Sequence, residues 1–94
     1  MIESDIETKM RKLIKQRGGL FIKFISPSSR GVPDRIVLKK PNIIIFVELK
    51  REGETPTPLQ KHWHKVLRSF GFDVRVIIGM QQALRFVEEV FPNE

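Results

Sequence analysis

Two short segments of the chain hold the residues whose types and spacing can do chemistry: Gly31-Val32-Pro33-Asp34 and Val47-Glu48-Leu49-Lys50. Side chains two apart on a strand share a face, so Glu48 and Lys50 point one way and Leu49 the other. They end a run, Ile43-Ile44-Ile45-Phe46-Val47, that is apolar on both faces, as in the central strand of a sheet. Charged groups there are costly unless they are paired or hold a metal. A tight turn at Lys40-Pro41-Asn42 makes a hairpin that sets Asp34 opposite Glu48 or Leu49, and opposed Cβ atoms lie about 4.5–5.5 Å apart. Two carboxylates that close repel each other unless a cation lies between them. A hard divalent ion such as Mg²⁺ takes oxygen ligands at about 2.0–2.1 Å, keeps several waters and fits the space. It would ease deprotonation of a water and stabilise charge developing on a phosphate. Lys50, beside it, would orient the water or neutralise a phosphorane-like transition state. The chemistry in view is hydrolysis at a phosphate, with no covalent intermediate required. Taken singly, the same residues have plainer readings: Asp34 after Pro33 as a turn residue, Glu48 and Lys50 as a solvated strand end.

The elements that must position these residues follow from periodicity and punctuation. Over residues 3–17, Ile6, Met10, Leu13 and Ile14 form one apolar helical face. Acids come first (Glu3, Asp5, Glu7) and bases later (Arg11, Lys12, Lys15, Arg17), matching the helix dipole, and Gly18-Gly19 stops the helix. Leu20 to Ile25 reads as a strand, residues 26–33 as a loop dense in turn formers, and Arg35 to Lys39 as a second strand. Ile43 to Lys50 is the third. After a polar loop, Thr57 is an N-cap with Pro58 at the first helical position. Leu59, Trp63, Val66, Leu67 and Phe70 make the apolar face of a second helix that ends at Gly71. Phe72 to Ile78 is a fourth strand. Gly79 starts a turn, and Met80, Leu84, Val87 and Phe91 space a last helix. The order α-β-β-β-α-β-α, a hairpin and then a helical crossover, predicts an α/β fold with a four-stranded mixed sheet flanked by helices.

Composition sets the bounds. Ninety-four residues make one domain, spanning 1–94. With 40% hydrophobic and 30% charged residues the chain can build a core, which argues against disorder. No apolar run reaches the roughly 18–20 residues of a membrane span. Glu3, Asp5 and Glu7 do not suit a signal peptide. The absence of cysteine excludes disulfides, thiolate zinc sites and a cysteine nucleophile. The expectation is a protein of the reducing cytoplasm, with no membrane partner and no small-molecule cofactor. Seventeen Lys and Arg against eleven Asp and Glu leave +6, which points to a polyanion, most often nucleic acid.

Several residues carry two readings. Lys23 either snorkels from its strand or meets a phosphate. The loop with Ser28, Ser29 and Arg30 leads into the site and either tracks a phosphate backbone or is merely mobile. His62 and His64 are two apart on a helix and point too differently to share an ion; Trp63 between them is expected in the core. Gln60, His64 and Arg68 share a helical stripe with Lys61 and Lys65 beside it, either a solvated face or a rim facing DNA. Glu88, Glu89 and Glu94 read as solvated.

Together, PD…ELK with Gln60 on the next helix resembles the PD-(D/E)XK nuclease motif. Within that superfamily the wording is similar to the virus-type replication-repair nuclease family, VRR-NUC. The resemblance is carried by the acid-bearing first helix ending in Gly18-Gly19, Lys23-Phe24, Arg30-Gly31-Val32-Pro33-Asp34-Arg35, Phe46-Val47-Glu48-Leu49-Lys50 and Pro58-Leu59-Gln60, over about residues 3–88. It implies a restriction-endonuclease-like core and a Mg²⁺- or Mn²⁺-dependent phosphodiesterase acting on DNA. By position it makes Asp34 and Glu48 metal ligands with the Leu49 carbonyl, Lys50 the catalytic lysine and Gln60 the helical glutamine of the site. It also implies a first-helix glutamate facing the metal, here Glu3 or Glu7, which lie one turn apart. Lys23, Arg30, Arg35, Lys61 and His64 are the candidates for contact with DNA. A stand-alone domain resembles the family's junction-resolving homodimers, so cleavage of branched DNA such as a Holliday junction is the expectation. A flap- or end-directed nuclease, a restriction-like enzyme and a non-catalytic DNA-binding module are the alternatives, and a need for a protein partner stays open. The last helix and the outer side of helix 57–70 are the candidate dimer surfaces.

Overall fold

A computed structural model describes residues 2–93 of the chain. Helix α1 (Glu3–Gln16) buries Ile6, Met10 and Ile14 completely on the predicted face. It ends where Gly18 takes a positive φ of 87°, and the Gly19 N–H donates to the Ile14 carbonyl at 2.9 Å. Strand β1 (Leu20–Lys23) is two residues shorter than expected. Phe24 and Ile25 leave the strand, although the Phe24 N–H still donates to the Asp34 carbonyl at 2.8 Å. Strands β2 (Arg35–Lys39) and β3 (Ile43–Lys50) have the expected bounds. Helix α2 (Pro58–Ser69), strand β4 (Asp73–Ile78) and helix α3 (Gly79–Val90) complete the order α-β-β-β-α-β-α.

The four strands lie in the order β1-β2-β3-β4. The first three are antiparallel neighbours and β4 runs parallel to β3, as a helical crossover requires. Sheet alternation then sorts the side chains. Phe21, Val37, Ile45, Val47, Leu49 and Ile77 face α1 and α3 and form the core with Ala83, Phe86 and Val87. Each such buried aliphatic or aromatic group contributes about 1.5–3 kcal/mol of transfer free energy. The end of α3 is closed by cations from elsewhere in the fold: Lys39 Nζ donates to the Val90 carbonyl at 2.6 Å and Arg17 Nη1 to the Phe91 carbonyl at 3.0 Å.

The opposite face of the sheet is only partly covered, because α2 packs against β4. Leu20, Ile22 and Ile44 are exposed there, as is Phe72, whose ring stands edge-on to Phe46 at 5.4 Å. Helix α2 also sits differently from expectation. His64 is its buried residue, Trp63 is only half-buried, and Leu59 and Phe70 are exposed, Phe70 at 77%. The two ends of the apolar stripe, Leu59 and Phe70, are left in solvent, Trp63 and Val66 are half-buried, and the Gln60-His64 side is turned toward the sheet. Glu88 and Glu89 make surface ion pairs with Arg17 and Arg75; Glu94 lies outside the described residues.

Candidate active site

The hairpin register decides the first geometric question. Arg35 pairs with Val47, so one further step along the ladder sets Asp34 beside Glu48 rather than Leu49. Asp34 stands just outside β2 with its side chain 41% exposed, whereas the Glu48 side chain is 8% exposed. Burial pushes the Glu48 carboxyl up to about 7. The Lys50 ammonium draws it back, the negative charges of Asp34 and Glu3 push it further, and Arg35 draws it down. The site therefore resists a second negative charge until a positive one joins it.

A cleft of about 520 Å³ opens over these groups, lined by the 25–32 loop together with Lys23, Asp34, Glu48 and Gln60. The loop is held to the head of α2 at Gly31. Its φ is 84°, and a Cβ there would stand 2.7 Å from Leu59 Cγ and 3.1 Å from the Leu59 carbonyl. Thr57 and Gln60 form a capping box: the Thr57 N–H donates to Gln60 Oε1 at 2.9 Å, and the Gln60 N–H to Thr57 Oγ1 at 3.2 Å. Gln60 therefore belongs both to the head of α2 and to the wall of the cleft. Its oxygen caps the helix, and its amide N–H₂ is the donor left for the cleft.

A second cleft of about 460 Å³ adjoins the first through Lys23, and its other lining residues are Glu3, Ser4, Glu7, Arg11 and Arg35. The two first-helix glutamates differ here. Glu7 is almost buried and tied to Arg11 and Arg35, while Glu3 is half-exposed and its charge reaches Glu48.

Two expected DNA contacts are placed elsewhere. Arg35 is buried on the α1 side of the sheet, with Nη1 2.6 Å from Asp34 Oδ1 and the guanidinium 3.8 and 3.9 Å from Glu3 and Glu7. Its Nε and Nη1 find no in-line hydrogen-bond partner, so the attraction is chiefly electrostatic. Its charge is directed at these acids, and only a small part of it reaches the second cleft. His64 is likewise buried, 3% exposed, with Nε2 3.2 Å from Glu48 Oε1. Burial, helped by Arg68 and Lys50, lowers its pKa, which favours the neutral imidazole in this contact. Lys23 and Arg30 are exposed and line the first cleft, and Lys61 is exposed on α2. Both misplacements had a local signal. Arg35 alternates with Ile36 onto the face of Val37, the core face, and His64 lies one helical turn from Gln60.

Among the described residues no three His, Asp or Glu side chains gather into a metal-holding cluster. The donor set is two adjacent carboxylates, one of them buried. That suits a hard cation keeping most of its waters rather than a closed protein cage.

With this geometry in place, the comparisons with known proteins are specific. The family model described as the VRR-NUC domain matches residues 3–81. The chain belongs to the VRR-NUC family. A solved VRR_NUC domain superposes with a TM-score of 0.85 at 28% identity, covering 95% of this chain and 97% of that one. A relative named "Putative nuclease p44", from Acyrthosiphon pisum secondary endosymbiont phage 1, is 44% identical over 75 residues, or 80% of this chain and 81% of its own length. The VRR-NUC match runs from α1 through β4 and so spans Glu3, Asp34, Glu48, Lys50 and Gln60, and it makes this chain a member of a nuclease family. No helix among the described residues is long and apolar enough to cross a membrane.

Proposed function

We propose that the chain is a divalent-cation-dependent endonuclease that hydrolyses DNA phosphodiesters, with branched DNA such as a four-way junction as its substrate. The observation that carries this reading is the pairing of Asp34 with a buried Glu48 whose carboxyl is pushed up to about 7, in a cleft rimmed by cations. Asp34, Glu48 and the Leu49 carbonyl would hold Mg²⁺ or Mn²⁺, with Glu3 acting from the outer shell. When bound, the ion would supply Lewis acidity and charge neutralisation at the phosphate. Lys50, on the same strand face as Glu48, orients the attacking water and offsets the charge that grows on the phosphate oxygens. The Gln60 amide donates into the same space. Lys23 and Arg30 anchor the flanking phosphates and so fix the scissile group over the carboxylates.

Phosphate contacts carry no sequence information, so recognition would rest on the shape of the DNA. The bare apolar surface at Leu20, Ile22, Ile44 and Phe72 supports a homodimer, since a two-fold axis would set the same patch of both subunits face to face and cover it. This face, rather than the last helix, would be the seat of the partner, because α3 turns Ala83, Phe86 and Val87 into the core. Two symmetric sites would match paired cuts across a junction. The reading is tested by comparing labelled four-way junction, 5′ flap, single-stranded and duplex DNA, alongside mass measured in solution for wild type and Ile44→Glu. Paired symmetric nicks from a dimer that Ile44→Glu splits are expected. A preference for flaps or ends, or a monomer that nicks junctions symmetrically, refutes it.

A further inference from the structure

The Glu48–His64 contact lies beneath the cleft rather than in it. His64 does not line the open space, and Glu48 is the wall residue that it touches. We propose that His64 is a positioning residue for the cation site: its Nε2–H holds one oxygen of Glu48 and so presents the other to the ion. The proposal rests on the reading of Asp34 and Glu48 as cation ligands.

Three features of the fold support it. First, the bond is built into the scaffold. His64 is the buried residue of α2, and the helical turn before it is closed by the Thr57–Gln60 capping box and lies against the loop where Gly31 approaches Leu59. Second, the proton placement is determined. A carboxylate ligating a cation is an acceptor only, so Nε2, the imidazole nitrogen that faces Glu48, has to be the donor. Third, a carboxylate on a strand is free to turn about its last bond unless something grips it. Such grips on metal ligands commonly change affinity by about 10–100-fold when removed. The same helix then serves the site in two successive turns, Gln60 from the side and His64 from below. The rotation of α2 away from its apolar stripe is the structural counterpart of that arrangement: facing His64 to Glu48 leaves Leu59 and Phe70 in solvent.

The test is direct titration of the full chain with Mn²⁺ by calorimetry, without DNA. Wild type is compared with Glu48→Gln, His64→Leu, His64→Gln and His64→Asn. A glutamine amide can stand where Nε2 stands, whereas an asparagine amide reaches only the Nδ1 position. The expected result is that Glu48→Gln abolishes Mn²⁺ uptake, that His64→Leu and His64→Asn weaken it by about 10-fold or more, and that His64→Gln restores most of it. Should His64→Leu fail to fold, the Gln and Asn pair decides alone. Equal affinity for the Gln and Asn variants, or a His64→Leu chain that binds as wild type does, overturns the positioning role and leaves the cation site standing. A wild type that takes up no Mn²⁺ fails the site reading itself, and this proposal with it.

Discussion

Glu48→Gln removes the ionisable group on which the account turns and keeps its shape and hydrogen bonding. The sign of its effect on stability follows from the direction of the shift. The Glu48 carboxyl titrates near 7 in the folded chain and near 4.5 when unfolded, so the native state holds its proton longer. Its contribution is fully favourable below pH 4.5 and is lost as pH rises through 7, where the buried carboxylate becomes a penalty. Two and a half pH units correspond to about 3 kcal/mol, and between pH 5 and pH 8 the accumulated penalty grows by about 2.5 kcal/mol. Glutamine bears no such penalty. Whatever constant offset the substitution introduces, the variant should gain on wild type by about 2–3 kcal/mol across that window, a relative rise in Tm of roughly 10–20 °C for a domain of this size. Urea and thermal melts at pH 5, 6, 7 and 8 in EDTA measure it. Added Mg²⁺ should then recover the lost stability of wild type at pH 8 and leave the variant unmoved. A stability gap that stays level from pH 5 to pH 8 would refute the claim that Glu48 is a strained buried acid beside Asp34.

Further outcomes follow from other contacts. Arg35→Met leaves Glu3, Glu7 and Asp34 without their shared cation and should cost about 3 kcal/mol in a urea melt; a loss under about 1 kcal/mol would show that the guanidinium balances nothing. Gly31→Ala forces a side chain into a positive-φ position 2.7 Å from Leu59 and should cost about 1–3 kcal/mol, with the 24–34 loop opening to proteolysis; unchanged stability and cleavage kinetics would deny that the loop is fixed there. Removing Arg30 or Lys61 should weaken DNA binding alike for all sequences and lower the salt slope by about 0.9 each, read by anisotropy across a salt series; a loss confined to particular sequences would contradict shape recognition.

The parts of the molecule legible in the sequence are those set by local rules. Alternation and the Lys40-Pro41-Asn42 turn gave β2 and β3 their bounds and brought Asp34 to Glu48, because register is a matter of counting from a turn. Thr57 and Pro58 marked the start of α2 and Gly71 its end, as Gly18 marked the end of α1, each through backbone geometry. The parts that were not legible depend on how an element is rotated against the rest. The apolar stripe of α2 predicted that Trp63 and Phe70 would face inward, yet the helix turns His64 to Glu48, a choice visible only once β3 lies beneath it. The exposed face of β1–β3 escaped notice for the same reason. Ile44 reads as part of a strand buried on both faces until the structure packs α2 chiefly against β4 and leaves Ile22 and Ile44 exposed. Arg35 was assigned by its charge when its strand position already faced it to α1.

The central claim is that Asp34, Glu48 and Lys50 form a cation-dependent hydrolytic site, and cleavage of a labelled four-way junction tests it most directly. Wild type, Asp34→Asn and Lys50→Ala would be assayed in Mg²⁺, in Mn²⁺ and in EDTA, with DNA affinity measured for each. The account predicts cleavage by wild type in either metal, none in EDTA, and none by the two variants at nearly unchanged affinity. Cleavage that survives EDTA, or a variant that cuts at the wild-type rate, would contradict it.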